Sequence, residues 1–218
     1  CASKSFRGLK MGVSYNEGGQ LYVDRFSFSV ALLGSAFFRH FRSTPDFLIS
    51  ICPNPAQISI LNHLETQKDM KVEHLCAVSN LTVISHYAVS LSHVLGERQQ
   101  KGELLNSYDS LIFNEMRRTG KQFKPSGGGR FPLEYCLNLS KTKEGMELLE
   151  TMESMFKRGF VKGNPQRLAL ALAQFLADPS LDNYSRYLDV HLRGYIEKDK
   201  NKRISHLYSK ASLREGMK

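Results

Sequence analysis

Leu75–Gly96 reads LCAVSNLTVISHYAVSLSHVLG, twenty-two residues without one Asp, Glu, Lys or Arg. On a helical wheel Leu81, Ile84, Ala88, Leu91 and Leu95 fall on one apolar face, which Cys76, Val83, Tyr87 and Val94 widen. The opposite stripe, Ser79, Thr82, His86, Ser90 and His93, is polar but uncharged. A surface helix would carry Lys and Glu there, so the pattern predicts a helix buried nearly all round, beginning as early as Lys71. The stretch is long enough to span a bilayer. Its two His, one Asn, one Thr and four Ser favour a protein interior over lipid.

Working outward, 218 residues suit one large domain or two small lobes around a shared core. The expected organisation is a basic arm over 1–10, a single globular helical domain over 11–197 (or two lobes meeting near 119–135), and a basic tail over 198–218. The N-terminal residues lack the apolar run of a secretory signal. Cys1, Cys52, Cys76 and Cys136 are widely spaced with no C-x-x-C pair, which predicts free thiols in a reducing compartment and no zinc knuckle.

The flanking segments read mostly as helix. Met11–Tyr15 and Gln20–Val30 surround the turn residues Asn16–Gly19, a hairpin pattern, with Phe26, Phe28 and Val30 alternating like a half-buried strand. Leu33, Phe37 and Phe41 suggest a helix, and Phe47–Cys52 fits strand or helix. Asn54-Pro55 looks like a helix start leading into Ile58, Leu61 and Leu64. Glu103–Arg118 reads as a helix with Leu104, Tyr108, Leu111 and Ile112 inward, and Lys121–Pro132 as a Pro/Gly-rich loop. Helices are further expected from Ser140 to Arg158, from Asn164 to Ala177 and after Ser180. Gly145 is an oddity in the first of these, and Glu144, Glu147, Glu150 and Glu153 look like its solvated face. The fold class expected is mainly α, a compact bundle of about seven helices around the central one, with a small N-terminal β-hairpin.

Thirty Lys and Arg against twenty-one Asp and Glu leave a formal charge of +9, which favours a polyanionic partner. The charge is uneven: residues 1–42 and 199–218 each carry net +4, while 43–100 carry net −2. The segment Arg117–Arg130, RRTGKQFKPSGGGR, holds Arg117, Arg118, Lys121, Lys124 and Arg130 with no acid, and Phe123 and Phe131 lie among or beside them. Cations attract phosphates, Gly backbone lets amides approach them closely, and an unpaired base can stack on Phe. A second acid-free run holds Lys157, Arg158, Lys162 and Arg167 around the start of the 165–177 helix.

Signals for catalysis are poor. There is no Walker A loop, no G-x-S-x-G elbow and no H-E-x-x-H, so no cofactor and no metal site are expected. His86 and His93 are seven residues apart on one face, and only their meeting a carboxylate in one cleft would revive an enzyme. The expected function is therefore a non-catalytic RNA-binding or single-strand-binding and packaging protein, weakly sequence-specific, with RNA favoured over DNA. It would self-associate through its terminal arms and reside inside the cell, in the cytoplasm or in a virion. Viral nucleoproteins share this physical design, a helical body with a basic groove and exchangeable arms. The alternatives are a matrix-type peripheral protein on anionic membrane, or a helical protein–protein adaptor.

Overall fold

The computed structural model describes residues 13–15, 21–23, 25–44, 46–55, 59–70, 79–103, 107–120, 122–158 and 164–198. The chain divides into two units, Cys1–Arg39 and His40–Lys218. The first holds strands β1 (Val13–Tyr15) and β2 (Leu21–Val23), antiparallel with Val13 opposite Val23, and helix α1 (Arg25–Phe37). The expected hairpin is therefore present, but Phe26, Phe28 and Val30 lie in α1 rather than in its second strand. An alternating run this short is compatible with either state, and a helix needs no partner strand.

The second unit corrects the fold class. Beside helices it holds a four-stranded sheet, β3 (Arg39–Thr44), β4 (Phe47–Pro55), β5 (Tyr108–Thr119) and β6 (Gln122–Pro132), in that spatial order. The β4–β5 and β5–β6 pairs are antiparallel. Tyr108, Leu111 and Ile112 happen to fit helical spacing, yet the chain there is extended because β4 and β6 offer it a ladder on both edges. The supposed Pro/Gly loop is strand β6. It sits at the sheet edge, where a Pro needs no outward partner and a Gly run is tolerated. Gly120, at φ 63°, supplies the left-handed residue for the tight β5–β6 turn. Asn54-Pro55 ends β4 rather than starting a helix, and Ser59 caps α2 (Ile60–Asp69) instead.

Five more helices follow: α3 (Asn80–Gln100), α4 (Glu134–Leu139), α5 (Lys143–Arg158), α6 (Asn164–Ala177) and α7 (Leu181–Lys198). Helix α3 is the central one. It starts later than expected, at a capping box in which Ser79 and Thr82 bond each other's backbone amides. Every residue from Thr82 to Ser92 is buried, on the polar stripe as well as the apolar face. Polar groups of this buried segment tie helices together: Ser85 Oγ donates to the Ala173 carbonyl of α6 at 3.5 Å, and Gln67 of α2 donates to the Tyr87 hydroxyl. On the sheet side Phe41 meets Tyr87 edge-on, with centroids 5.9 Å apart. Ile49, Ile51, Leu111 and Phe131 complete that wall, all fully or nearly fully buried. Each such side chain contributes about 1.5–3 kcal/mol by leaving water. No helix among the described residues is long and apolar enough to cross a membrane.

Arg98 closes the far end of α3. Burial opposes its charge, but hydrogen bonds and attraction from Glu103 and Glu65 outweigh that and raise its pKa. Its guanidinium reaches Glu65 at 2.9 Å and Thr66 at 3.0 Å, tying α2 to α3. On α7 the buried stripe is Tyr184, Tyr187 and His191, whereas Leu181 and Leu192 are exposed. Cys52 and Cys136 are free thiols; Cys1 and Cys76 lie outside the described residues. Burial pushes the Cys136 thiol up to about 12, leaving it inert at neutral pH.

Gly145, the oddity of α5, has a packing reason. A methyl group there would overlap the Leu139 carbonyl at the end of α4. The turn between the two helices closes only because that volume is empty. Gly145→Ala is therefore expected to destabilise the protein by about 1–3 kcal/mol, despite the better helix propensity of Ala. Urea denaturation checks this; an unchanged or raised midpoint would show that the turn adapts.

Candidate nucleic-acid interface and an adjoining question of chemistry

The first basic segment lies on the β5–β6 hairpin. Every residue from Gln122 to Arg130 is exposed, as are Arg117, Arg118 and Thr119 at the end of β5. Register decides which cations share a face: Arg117 is opposite Lys124, Arg118 opposite Phe123, and Ile112 opposite Arg130. Arg117 thus shares a face with Lys124, and alternation sets Arg118, Phe123 and Arg130 on the other. The Arg117 guanidinium lies 5.7 Å from the centre of the Phe47 ring, and Arg118 Nε donates to the Gly120 carbonyl at 3.1 Å. Among the described residues none of Arg117, Arg118, Lys124 or Arg130 forms an ion pair. Like charges directly opposite each other, as at Arg117 and Lys124, destabilise a sheet unless something neutralises them.

The two phenylalanines separate. Phe123 is 40% exposed, whereas Phe131 is 2% exposed and belongs to the core, so its ring offers no face to a base. The Gly127–Gly129 run crosses β5 closely: a methyl group on Gly128 would lie 2.8 Å from the Phe113 carbonyl oxygen. A bulge between Glu115 and Met116 re-aims the outer part of the hairpin. Lys121 and Lys162 lie outside the described residues, as do both terminal arms.

The second basic run has a different setting. Lys157 and Arg158 end α5 and line a cleft of about 440 Å³ between α2, α3 and α5, while Arg167 is exposed on α6. Glu153, expected on a solvated face, is 8% exposed. It accepts a hydrogen bond from Ser90 Oγ at 3.4 Å, and Lys157 Nζ and His93 Nδ1 stand 3.5 and 3.8 Å from its carboxylate. The charge of Lys157 is therefore partly met within the protein. Charge alternation along α5 gave no sign of this, because Glu153 is singled out only by what α3 brings to it.

The cleft also answers the question raised by the two histidines. His93 meets the Glu153 carboxylate, but His86 does not join it. His86 is 1% exposed and stacks on Phe156, with centroids 5.7 Å apart. Ser90 and His93 both approach Glu153, the hydroxyl as a hydrogen-bond donor and the ring nitrogen at 3.8 Å. Among the described residues no group of three His, Cys, Asp or Glu is placed to hold a metal ion.

No family model matches the chain, and no solved structure matches it. An uncharacterized protein of Archaeoglobus fulgidus is 31% identical over 209 residues, covering 92% of this chain. The chain spans 58% of that relative's length. The relative brings no functional description, and its archaeal source lends no support to a viral origin.

Burial, with a smaller contribution from the Lys157 charge, pushes the His86 pKa down to about 4. The folded-state pKa is below the unfolded value of about 6.5, so the neutral ring is the one the fold accepts. The stability it contributes is complete above that unfolded value and declines as pH falls toward the folded one. Between pH 7.5 and 4.5 this group alone is expected to remove about 2–3 kcal/mol. His86→Phe should abolish that part of the acid sensitivity, measured as the difference between denaturation free energies at the two pH values. An identical pH dependence in both proteins would contradict it.

Proposed function

We propose that this protein binds nucleic acid without catalysis, through the exposed corner of its sheet at the β5–β6 hairpin. The observation that carries the reading is the uncompensated Arg117–Lys124 pair, two cations opposite each other on strands open to solvent. A phosphate between them relieves the repulsion that the fold itself leaves unmet. Arg118 and Phe123 on the other face support the same role, the cation for phosphate and the ring for an unpaired base. Contacts of this kind carry little base information, so specificity is weak, and single-stranded RNA is the preferred ligand. Self-association through the basic arms is part of the proposal.

The test is fluorescence anisotropy with a labelled single-stranded RNA of about 20 nucleotides, titrated across salt concentrations. Log K should fall linearly with log salt, and the Arg117→Ala/Lys124→Ala double variant should flatten the slope by about 1.4, two single-strand phosphate contacts. Phe123→Ala should cost about 1–3 kcal/mol with little change in slope, as loss of one stacked base does. Absence of binding at low salt sinks the proposal; anionic liposomes are then the next ligand, since lipid headgroups would draw on the same cations.

A further inference from the structure

Beyond its outer corner, the sheet face turned away from the core plays no part in hairpin binding. Ile49, Ile51, Leu111 and Phe131 are buried in the core, so alternation sends the residues between them to the opposite face. One polar row crosses all four strands there. His40 Nδ1 of β3 lies 2.7 Å from Ser50 Oγ of β4, Ser50 stands opposite Asn114 of β5, and Asn114 stands opposite Gly128 of β6. His40 and Asn114 are exposed, and among the described residues the Asn114 side-chain amide has no hydrogen-bond partner. A methyl group on Gly128 would lie 3.0 Å from Asn114 Oδ1, so a side chain there would crowd the amide. Met116 and Ile112, both half-buried, flank the row along β5. Arg118 and Arg130 stand toward the two ends of this face, and between them β4, β5 and β6 place no carboxylate on it.

Half-buried apolar side chains beside unengaged polar groups suit a ligand that is apolar on its flat faces and polar along its edges. The two arginines call for negative charge along the same ligand. An unpaired nucleic-acid strand meets both requirements, and an open sheet face can hold two or three of its bases. We propose that a bound single strand continues from the hairpin across this face toward β3, its bases on Phe123, Met116 and His40, with Asn114 reading the edge of an adenine. An amide offers one acceptor and one donor, and adenine matches them, N6 donating to Oδ1 and N7 accepting from Nδ2. An imidazole, like a phenyl ring, gives a base a surface to stack on. The hairpin must bind nucleic acid for this to hold; the open face then adds a course for the strand and one read position.

Anisotropy with labelled oligoadenylate and oligouridylate of equal length, at one low salt concentration, tests this. Oligoadenylate should bind roughly fivefold or more tightly, the discrimination of one bidentate base contact. Asn114→Ala should reduce that preference to less than about twofold. His40→Ala should weaken both RNAs roughly fivefold, as loss of a stacked base does. Thermal melts establish that both variants, each at an exposed position, remain folded. Suppose binding follows Arg117 and Lys124 but shows no adenine preference, or a preference that Asn114→Ala leaves intact. The read position is then overturned while binding at the hairpin stands. Unaltered affinity in His40→Ala overturns the course toward β3. Absence of binding to either RNA overturns the open face and the hairpin together.

Discussion

The structure of the second unit depends on one constraint, the burial on every side of the middle of a long helix, Thr82–Ser92, that is only half apolar. Helix α3 brings Ser85 and Ser90 into an environment that excludes water. A buried hydroxyl without a partner costs of order 1–3 kcal/mol, so neighbouring helices must approach closely enough to supply acceptors. The Ala173 carbonyl of α6 and the Glu153 carboxylate of α5 do so. The absence of long side chains along this stripe is what lets α5 and α6 come near. Close packing and hydrogen bonding are here the same requirement.

That requirement places the second polar feature. Glu153 is drawn inward because Ser90 and His93 are already fixed on α3, and Lys157 follows one turn later to balance it. With Lys157 itself exposed, an ion pair of this kind adds little net stability. Its consequence is local: it leaves the surrounding carboxylates of three helices around a cleft with unmatched negative charge, in a chain whose total is strongly positive. The protein therefore separates its charges. Cations gather on an open strand pair, and acids gather where helices end.

The sheet solves a different problem. Strand β6 is an edge, and exposed edges invite pairing with other chains. Lys124, Pro125, the bulge near Met116 and Arg130 all work against such pairing. Protection of the edge by charge and the display of charge to a polyanion are thus compatible uses of the same residues. Phe131 anchors the inner end of β6 in the core while Phe123 near the turn stays open, so a single strand runs from packing to display.

Periodicity and capping within the sequence determined the central helix, its burial and the presence of α5 and α6, because each depends on residues a few positions apart along one element. The hairpin of the first unit was legible for the same reason, its turn residues being local. The four-stranded sheet was not. Tyr108–Thr119 satisfies a helical pattern as well as a strand pattern, and only the ladders to β4 and β6, far away in sequence, choose between them. The Gly127–Gly129 run read as loop for want of the strand that receives it. Cations were visible as a cluster, but their faces came from cross-strand register, and the burial of Glu153 came from a helix some sixty residues earlier. Local chemistry is written in neighbouring residues; long-range pairing is settled only when the chain folds and distant groups compete for the same hydrogen bonds.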